Sequence, residues 1–333
     1  MDRTCEITAE QSISRMFTAS RLLAILTIIS AHINIKNSEI ISNFYSAIGS
    51  IGVIVFLIAA GYYFKPNKQP IHFIKKKAVS IAIPWIVLGS MVYVVNSILI
   101  GSRLGILSWI GWLVGYKTYL YFVPVILICF VLFYYHNLPT LIVAMGLNVV
   151  SLSLTSAGIL EPVVKTLHIT NYLNFFNWIG FFAVGILLRR IPYEKCITFF
   201  TRTRIPVLCF SIFGVVLVTF TEYRVGYFSS FGWVFELICA WSVFGVCTCK
   251  RIYNKFSVSV SETSYGIYIL HMMFVGILGK IYSVHPIVSV FANIIVMLFT
   301  HLVLLVGRRA AKKLDMERLY SCITGIRSHA KRT

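Results

Sequence analysis

The chain of 333 residues is 58% hydrophobic and only 12% charged, with a mean hydropathy of +0.83. A soluble domain carries about 25% charged residues, so this composition excludes a soluble globular class and predicts a polytopic membrane protein. The net charge of +19 comes from lysines and arginines in short segments between apolar runs, a pattern typical of membrane topology that argues against a nucleic-acid binder.

The first apolar segment contains two ionisable residues. Arg21 lies near one end of residues 16–35 and His32 lies near the other, eleven positions apart. On one helix this spacing places both side chains on the same face, about 16 Å apart along the axis. Ionisable groups are costly in lipid and usually mark a pathway or a site. The alternatives are an arginine that reaches the membrane interface and a buried histidine that bonds a neighbouring helix.

The sequence predicts an all-α membrane bundle of about ten transmembrane helices. This single membrane domain occupies residues 16–306, between an N-terminal segment at 1–15 and a basic tail at 307–333. The glycine-broken apolar segment 101–118 is predicted to lie at the interface or to re-enter the membrane. The predicted spans are residues 16–35, 46–64, 78–100, 118–135, 138–156, 172–188, 205–222, 231–249, 263–281 and 286–306.

The distribution of basic residues predicts the orientation. With a cytoplasmic N-terminus, the inner segments hold most of the 30 lysines and arginines. The positive-inside rule therefore places both termini in the cytoplasm and requires an even number of spans. The run Lys75, Lys76 and Lys77 lies in one of these inner segments, where it faces anionic membrane lipid. The pair Cys247 and Cys249 lacks nearby partners, and no metal site is predicted.

Polar residues inside the later spans are further candidates. Ser264, Tyr268 and His271 follow the i, i+4, i+7 spacing and share one face of the ninth predicted span, next to Tyr265. They line an acceptor path or support the fold through an interhelical hydrogen bond. Glu236 is a carboxylate well inside a span, where it orients a histidine or pairs with a basic side chain.

Four motifs follow one another in a specific order. Arg21 and His32 form an Arg-x10-His pattern, and the string GVIVFLIAAGY follows at 52–62. The basic string FIKKK at 73–77 runs into IAIPW, and SYGIYILH ends at His271. Together these segments resemble the acyltransferase-3 family of integral membrane acyltransferases, from about residue 15 to residue 306. The chain is similar to the short bacterial or phage-borne O-antigen acetyltransferases of that family.

The resemblance implies an O-acetyltransferase of the bacterial inner membrane. Acetyl-CoA is expected to bind from the cytoplasmic side, near Arg21 and the basic loop of Lys75, Lys76 and Lys77. The acceptor is expected to be a lipid-linked or nascent O-antigen polysaccharide of lipopolysaccharide. His32 is the expected base that activates a sugar hydroxyl, because a neutral imidazole accepts a proton near physiological pH.

The chain departs from the family pattern at two places. Ala60 stands where the family often has a serine before Gly61, and lysines replace the usual arginines of the basic loop. A lysine offers a point charge and not a bidentate fork. The basic segment is therefore expected to bind the CoA phosphates more weakly, or together with basic residues of another inner segment, namely Arg189, Arg190 and Arg204.

Three other hypotheses remain open at this stage. Intramembrane arginine and histidine also occur in transporters, here of a small anion or a lipid-linked sugar. Against a transporter, no inverted or parallel repeat is visible in the sequence. A membrane scaffold without catalytic activity would not need Arg21 and His32. Within the enzyme class, another short acyl group is an alternative to acetyl.

Overall fold

The computed structural model describes residues 8–33, 38–66, 69–167, 169–221, 227–228, 232–282 and 286–326, and this part of the chain is helical without strands. The predicted all-α fold is confirmed for these residues. The helices are α1 (Ala9–Ser30), α2 (Glu39–Ile48), α3 (Ile51–Tyr62), α4 (Pro70–Lys77), α5 (Ile83–Ile100), α6 (Ile106–Val114), α7 (Phe122–Leu132), α8 (Leu138–Ser156), α9 (Glu161–Thr166), α10 (Ile179–Arg190), α11 (Tyr193–Phe220), α12 (Gly232–Cys247), α13 (Lys255–Tyr282), α14 (Pro286–Val290), α15 (Ala292–Lys313) and α16 (Glu317–Thr324). A π-helical segment (Ala78–Ala82) and two 3-10 turns (Tyr119–Tyr121 and Phe175–Asn177) complete the helical elements of the described chain.

Six helical runs within the described residues are long and apolar enough to cross a membrane. They are Ala9–Ser30, Glu39–Tyr62, Pro70–Ile100, Leu138–Ser156, Tyr193–Phe220 and Ala292–Lys313. A seventh span results if α6 and residues 119–132, bent by 57°, are counted together. The other three predicted spans overlap α10, α12 and α13. Because α10 and α12 have only 12 and 16 residues and α13 is not among the six apolar runs, the count of ten stays a prediction.

Helix α1 begins and ends earlier than the predicted span. It starts at Ala9 because a capping box precedes it, in which the Thr8 hydroxyl accepts from the Gln11 N–H at 3.3 Å. It ends at Ser30, so His32 lies in the turn just past the helix. The His32 N–H donates to the Ile29 carbonyl at 3.0 Å. The prediction that one regular helix carries both Arg21 and His32 is therefore wrong by two residues at its C-terminal end.

Helix α1 lies at the centre of the bundle. It packs against α3, α12, α13 and α15, while α10 lies beyond α3 and α8 lies beyond α10. Its side chains Ile13, Phe17, Ile25 and Ile29 are fully buried. The helix that carries Arg21 is thus surrounded by protein, which allows an ionisable side chain at membrane depth.

The three lysines of the basic segment lie on a helix, which corrects the prediction of a basic loop. Lys75, Lys76 and Lys77 form the last turn of α4, which continues through the π-helical segment into α5. Pro84 follows this segment and lacks the N–H that a regular α-helix would use. A wider turn accommodates the proline, as π segments do within helices. The lysines are therefore held at fixed positions on one helical turn.

The glycine-broken segment bends sharply, by 57° between α6 and residues 119–132, and its placement at the interface or as a re-entrant segment stays a prediction. Gly115 has φ +92°, and a Cβ there would lie 2.2 Å from the Tyr121 nitrogen, so only glycine fits. Lys117 also has a positive φ of 55°. The bend turns Tyr119 into the bundle, where it is 4% exposed.

Candidate active site

Arg21 and His32 both contact helix α13. The Arg21 Nη1 donates a hydrogen bond to the Ser261 hydroxyl at 3.3 Å. The His32 and His271 rings lie 5.2 Å apart, centroid to centroid. Because the two contacts follow in the same order along both helices, α1 and α13 run parallel. If both helices cross the membrane, the chain between them crosses an odd number of times, as the predicted topology requires.

His271 lies beside His32 and presents one imidazole nitrogen that has no partner within the described part of the chain. The ring is fully buried, and its Nδ1 lies 2.6 Å from the Tyr268 carbonyl oxygen. Because a carbonyl only accepts, Nδ1 carries the proton and Nε2 carries the lone pair of the neutral ring. This Nε2 has no hydrogen-bond partner among the described residues. The Tyr119 ring packs edge-on against both histidines, at 5.8 Å from His32 and 4.9 Å from His271.

Reciprocal hydrogen bonds hold Tyr119 in this position. Its hydroxyl donates to the Ile269 carbonyl, and the Tyr268 hydroxyl donates to the Tyr119 carbonyl. The two bonds fasten the 3-10 turn that follows the bend to helix α13. The Tyr119 and His271 rings beside His32 are thus each held by a backbone carbonyl of helix α13.

His32 lines a cavity of about 530 Å³. The cavity is formed by the end of α1, the start of α3, the bend after α6 and the loop after α9, which the charge pattern assigns to the outer side. Its walls carry five aromatic side chains, Trp112, Tyr119, Tyr121, Tyr172 and Phe228. They also carry the polar side chains Ser50, Lys117, Thr118, Thr170 and Asn171. A cavity with aromatic walls and a few convergent polar groups is the usual form of a small-molecule site.

Glu236 lies behind the wall of this cavity. The carboxyl group is 2% exposed and lies within hydrogen-bond reach of the Ser50 hydroxyl. Its Oε2 has no hydrogen-bond partner in the described part of the chain. The structure therefore places Glu236 against Ser50, on the side of Ser50 that faces away from the cavity.

Arg21 lies near the middle of α1, and its side chain reaches the end of α3, where a second basic residue also makes a contact. The Arg21 guanidinium lies 5.5 Å from the centre of the Tyr63 ring. Arg189 donates from Nη1 to the carbonyl of the adjacent Phe64 at 3.2 Å. Arg21 and Arg189 thus contact adjacent residues at the end of α3 that the topology assigns to the cytoplasmic side. Of the three predicted helpers, Arg189 bonds the end of α3, whereas Arg204 donates to the Cys249 sulfur at 2.8 Å.

The lysines of α4 reach the same end of the bundle. The Lys77 ammonium lies 5.4 Å from the Phe73 ring, and that ring packs edge-on against Phe64 at 5.7 Å. Lys75 and Lys76 are exposed. The structure thus gathers Lys77, Arg189 and Arg21 around the end of α3 and presents two further positive charges on the surface beside them.

The predicted residues of the ninth span separate into two groups. His271 lies beside His32, Tyr268 packs against His271, and Ser264 is buried on the same helix. Tyr265 points elsewhere, since its hydroxyl donates to the Ile81 carbonyl of the π-helical segment at 2.7 Å. Tyr265 therefore joins α13 to the start of α5 and does not line the cavity.

Most of the cavity lining was not predicted from the sequence, and Tyr119, Thr170 and Asn171 are examples. Tyr119 could be found only from the glycine break that precedes it, because a bend turns the following residues toward the bundle. Thr170 and Asn171 lie in a short polar loop after α9, and such residues are typical of any loop. Nothing in their local sequence indicates that the loop reaches His32.

A family model described as an acyltransferase domain, that of the acyltransferase-3 family, matches residues 17–306. The chain belongs to the acyltransferase-3 family. Searches of curated proteins and of solved structures found no match. The matched range contains Arg21, His32 and the whole cavity.

Membership in the acyltransferase-3 family assigns a class of reaction to this site. The protein is a membrane acyltransferase, an enzyme that transfers an acyl group. The transporter and scaffold hypotheses are set aside on this ground. In the acyltransferase, a basic cluster lies at the end of α3 and a histidine-lined cavity lies past the end of the central helix α1.

Proposed function

We propose that this acyltransferase transfers an acetyl group from cytoplasmic acetyl-CoA to a sugar hydroxyl of a surface polysaccharide, the O-antigen of lipopolysaccharide, at a bacterial inner membrane. The observation that carries the proposal is the position of His32. It stands in the wall of an aromatic, polar cavity at the predicted outer side, on the same chain segment as Arg21 at the predicted inner side.

The inner basic cluster suits the donor. CoA carries several phosphates, and arginine and lysine are the side chains that bind phosphate. Arg21, Arg189 and Lys77 gather around the end of α3, with Lys75 and Lys76 exposed beside them. CoA holds its thioester at the far end of a long flexible arm. The phosphates are therefore able to stay at the inner cluster while the acetyl group extends along α1 toward His32.

The outer cavity suits a sugar acceptor. Its aromatic walls offer apolar faces to the C–H surface of a ring, and its polar side chains offer partners for ring hydroxyls. His32 in this wall takes the proton of the acceptor hydroxyl as the oxygen attacks the thioester carbonyl. The new O–C bond forms, the C–S bond breaks, and the proton leaves on the thiol of CoA.

The first experiment compares lipopolysaccharide from a host that expresses the wild type, His32→Ala or His136→Ala. His136 is a partly buried histidine in the turn between α7 and α8, outside the cavity, and serves as the matched control. Mass spectrometry before and after mild alkali measures ester-linked acyl groups. We expect an alkali-labile gain of one acetyl group per repeat with the wild type and the control. His32→Ala should show none at normal membrane abundance.

Each other result contradicts a named part of the proposal. Acetylation that persists in His32→Ala removes the base role of this residue. A heavier alkali-labile group identifies another acyl donor. An unchanged mass in the wild type removes the O-antigen as the acceptor.

A further inference from the structure

Two residues that line the cavity carry buried side-chain oxygens without a hydrogen-bond partner in the part of the chain that the structure describes. These oxygens are Thr170 Oγ1 and Asn171 Oδ1. Both residues line the same cavity as His32. A buried polar atom without a partner is costly, and such atoms in native structures usually have an explanation. Two of them, on adjacent residues that line one cavity, indicate a ligand that donates hydrogen bonds there.

Fully buried side chains donate hydrogen bonds to the backbone of the loop that carries these oxygens. The Asn177 amide nitrogen donates to the Asn171 carbonyl at 3.0 Å, and the Trp178 ring nitrogen donates to the Tyr172 carbonyl at 2.9 Å. Asn177 and Trp178 are both 0% exposed. The backbone around Thr170 is therefore positioned by the core. A site that is held in this way is already organised for binding before its ligand arrives.

The chemistry of the cavity indicates the class of ligand. The two oxygens accept hydrogen bonds, and hydroxyl groups of a sugar donate them. Tyr172, adjacent to Asn171, and Trp112 supply aromatic faces in the same cavity. No carboxylate belongs to the described lining. The side-chain oxygens that could accept hydrogen bonds from the hydroxyl groups of a ligand are therefore uncharged. These features together match one monosaccharide ring.

We propose that Thr170 and Asn171 form the acceptor-sugar subsite of this acyltransferase. Their side-chain oxygens accept hydrogen bonds from two ring hydroxyls and so determine which other hydroxyl meets His32. They are positioning residues that set the ring position of acylation. This inference rests on the proposed function, because it names the acceptor side of the same site.

The test uses the full-length protein in proteoliposomes with acetyl-CoA and purified oligosaccharide of the host O-antigen repeat. Thr170→Val removes the hydroxyl at constant shape, and Thr170→Ser restores it. Asn171→Leu removes the amide, and Thr166→Val changes an exposed threonine of α9 outside the cavity as the control. We expect KM for the oligosaccharide to rise about tenfold in Thr170→Val and Asn171→Leu, the effect of one hydrogen bond. Thr170→Ser and Thr166→Val should keep the wild-type KM.

Two further measurements separate a contact from a general loss of structure. KM for acetyl-CoA should not change in any variant. NMR of the product should show one acetylated ring position with the wild type and a mixture with Thr170→Val. Synthetic repeat units that each lack one ring hydroxyl should include one for which the wild-type KM rises about tenfold. With that repeat unit, Thr170→Val should show no further rise in KM.

The outcomes distinguish the two proposals. Wild-type protein that transfers no acetyl group to the oligosaccharide contradicts the proposed function. Wild-type transfer with unchanged KM and one product position in both cavity variants contradicts the subsite. A KM that rises for acetyl-CoA instead assigns these oxygens to the donor. If Thr170→Val is poorly expressed, the subsite is tested by the KM of Asn171→Leu and by the KM of the wild type with repeat units that lack one ring hydroxyl.

Discussion

At the scale of single residues, Arg21 combines a structural contact with a charge. Its guanidinium bonds Ser261 of α13 and faces the Tyr63 ring at the end of α3. A planar guanidinium with five donors is able to keep these contacts and still offer donors to a phosphate. A lysine at this position would keep the positive charge but could not donate two parallel hydrogen bonds to one phosphate. The sequence alone leaves open an arginine that reaches the interface, whereas the structure ties Arg21 to two helices.

Replacement of Arg21 should therefore weaken donor binding in a graded way. We expect KM for acetyl-CoA to rise about ten- to hundredfold in Arg21→Ala, since hydrogen bonds to charged groups contribute about 1.5–3 kcal/mol. Arg21→Lys should lie between Arg21→Ala and the wild type. Steady-state assays in proteoliposomes measure the effect, with Arg103→Ala, an exposed arginine of the loop before α6, as the control. A fall in kcat with an unchanged KM would assign Arg21 to the transfer step instead.

At the scale of the elements, a close contact between α3 and α10 holds the end of α3 where the basic cluster gathers. A Cβ on Gly61 would lie 2.0 Å from the Phe182 carbonyl oxygen, and one on Gly185 would lie 2.1 Å from the Ile58 carbonyl oxygen. The two helices therefore touch backbone to backbone, as small residues allow in membrane bundles. The glycine of the second family motif thus has a packing reason. Its partner on α10 becomes visible only in the structure.

Alanine at Gly185 should destabilise this contact. Extra volume in a packed interface costs about 1–3 kcal/mol, because the helices must separate. We expect Gly185→Ala to lower the thermal unfolding temperature in detergent and the abundance in membranes. Gly146→Ala in α8 is the matched control, since nothing lies within 4 Å of a Cβ there. Equal stability of the two variants would show that α3 and α10 are able to move apart without cost.

At the scale of the whole molecule, two independent features bear on orientation. The charge pattern predicts cytoplasmic termini. The contacts of α1 with α13 show that these two helices run parallel, which fits an odd number of crossings between them. The cavity lies past the C-terminal end of α1, and the basic cluster lies at the end of α3, which contacts α1 at Arg21. An enzyme with a cytoplasmic donor and an outer acceptor requires that separation.

Reporter fusions test this orientation directly. A fluorescent protein that matures only in the cytoplasm should be fluorescent when it is fused to the C-terminus. Alkaline phosphatase, which folds only outside the cytoplasm, should be active when fused after Gly158, in the exposed turn between α8 and α9. An active phosphatase at the C-terminus would reverse the orientation, and the cavity would then face the cytoplasm.

The sequence by itself determined the class of this protein. Hydrophobicity and charge are summed along short segments, so they show a helical membrane protein whatever the packing. The ordered motifs around Arg21 and His32 indicated the acyltransferase-3 family for the same reason, since a motif is local. The end of α1 at Ser30 and the helical setting of the lysines were missed, because capping and a proline-dependent π turn depend on detailed backbone geometry.

Only the tertiary structure decided which residues meet. His32, Tyr119, Asn171 and His271 are far apart in the chain and belong to separate elements, yet they lie in or beside one cavity. Their proximity depends on the bend at Gly115 and on the parallel course of two distant helices. Such contacts arise from packing between segments, and no local pattern records them.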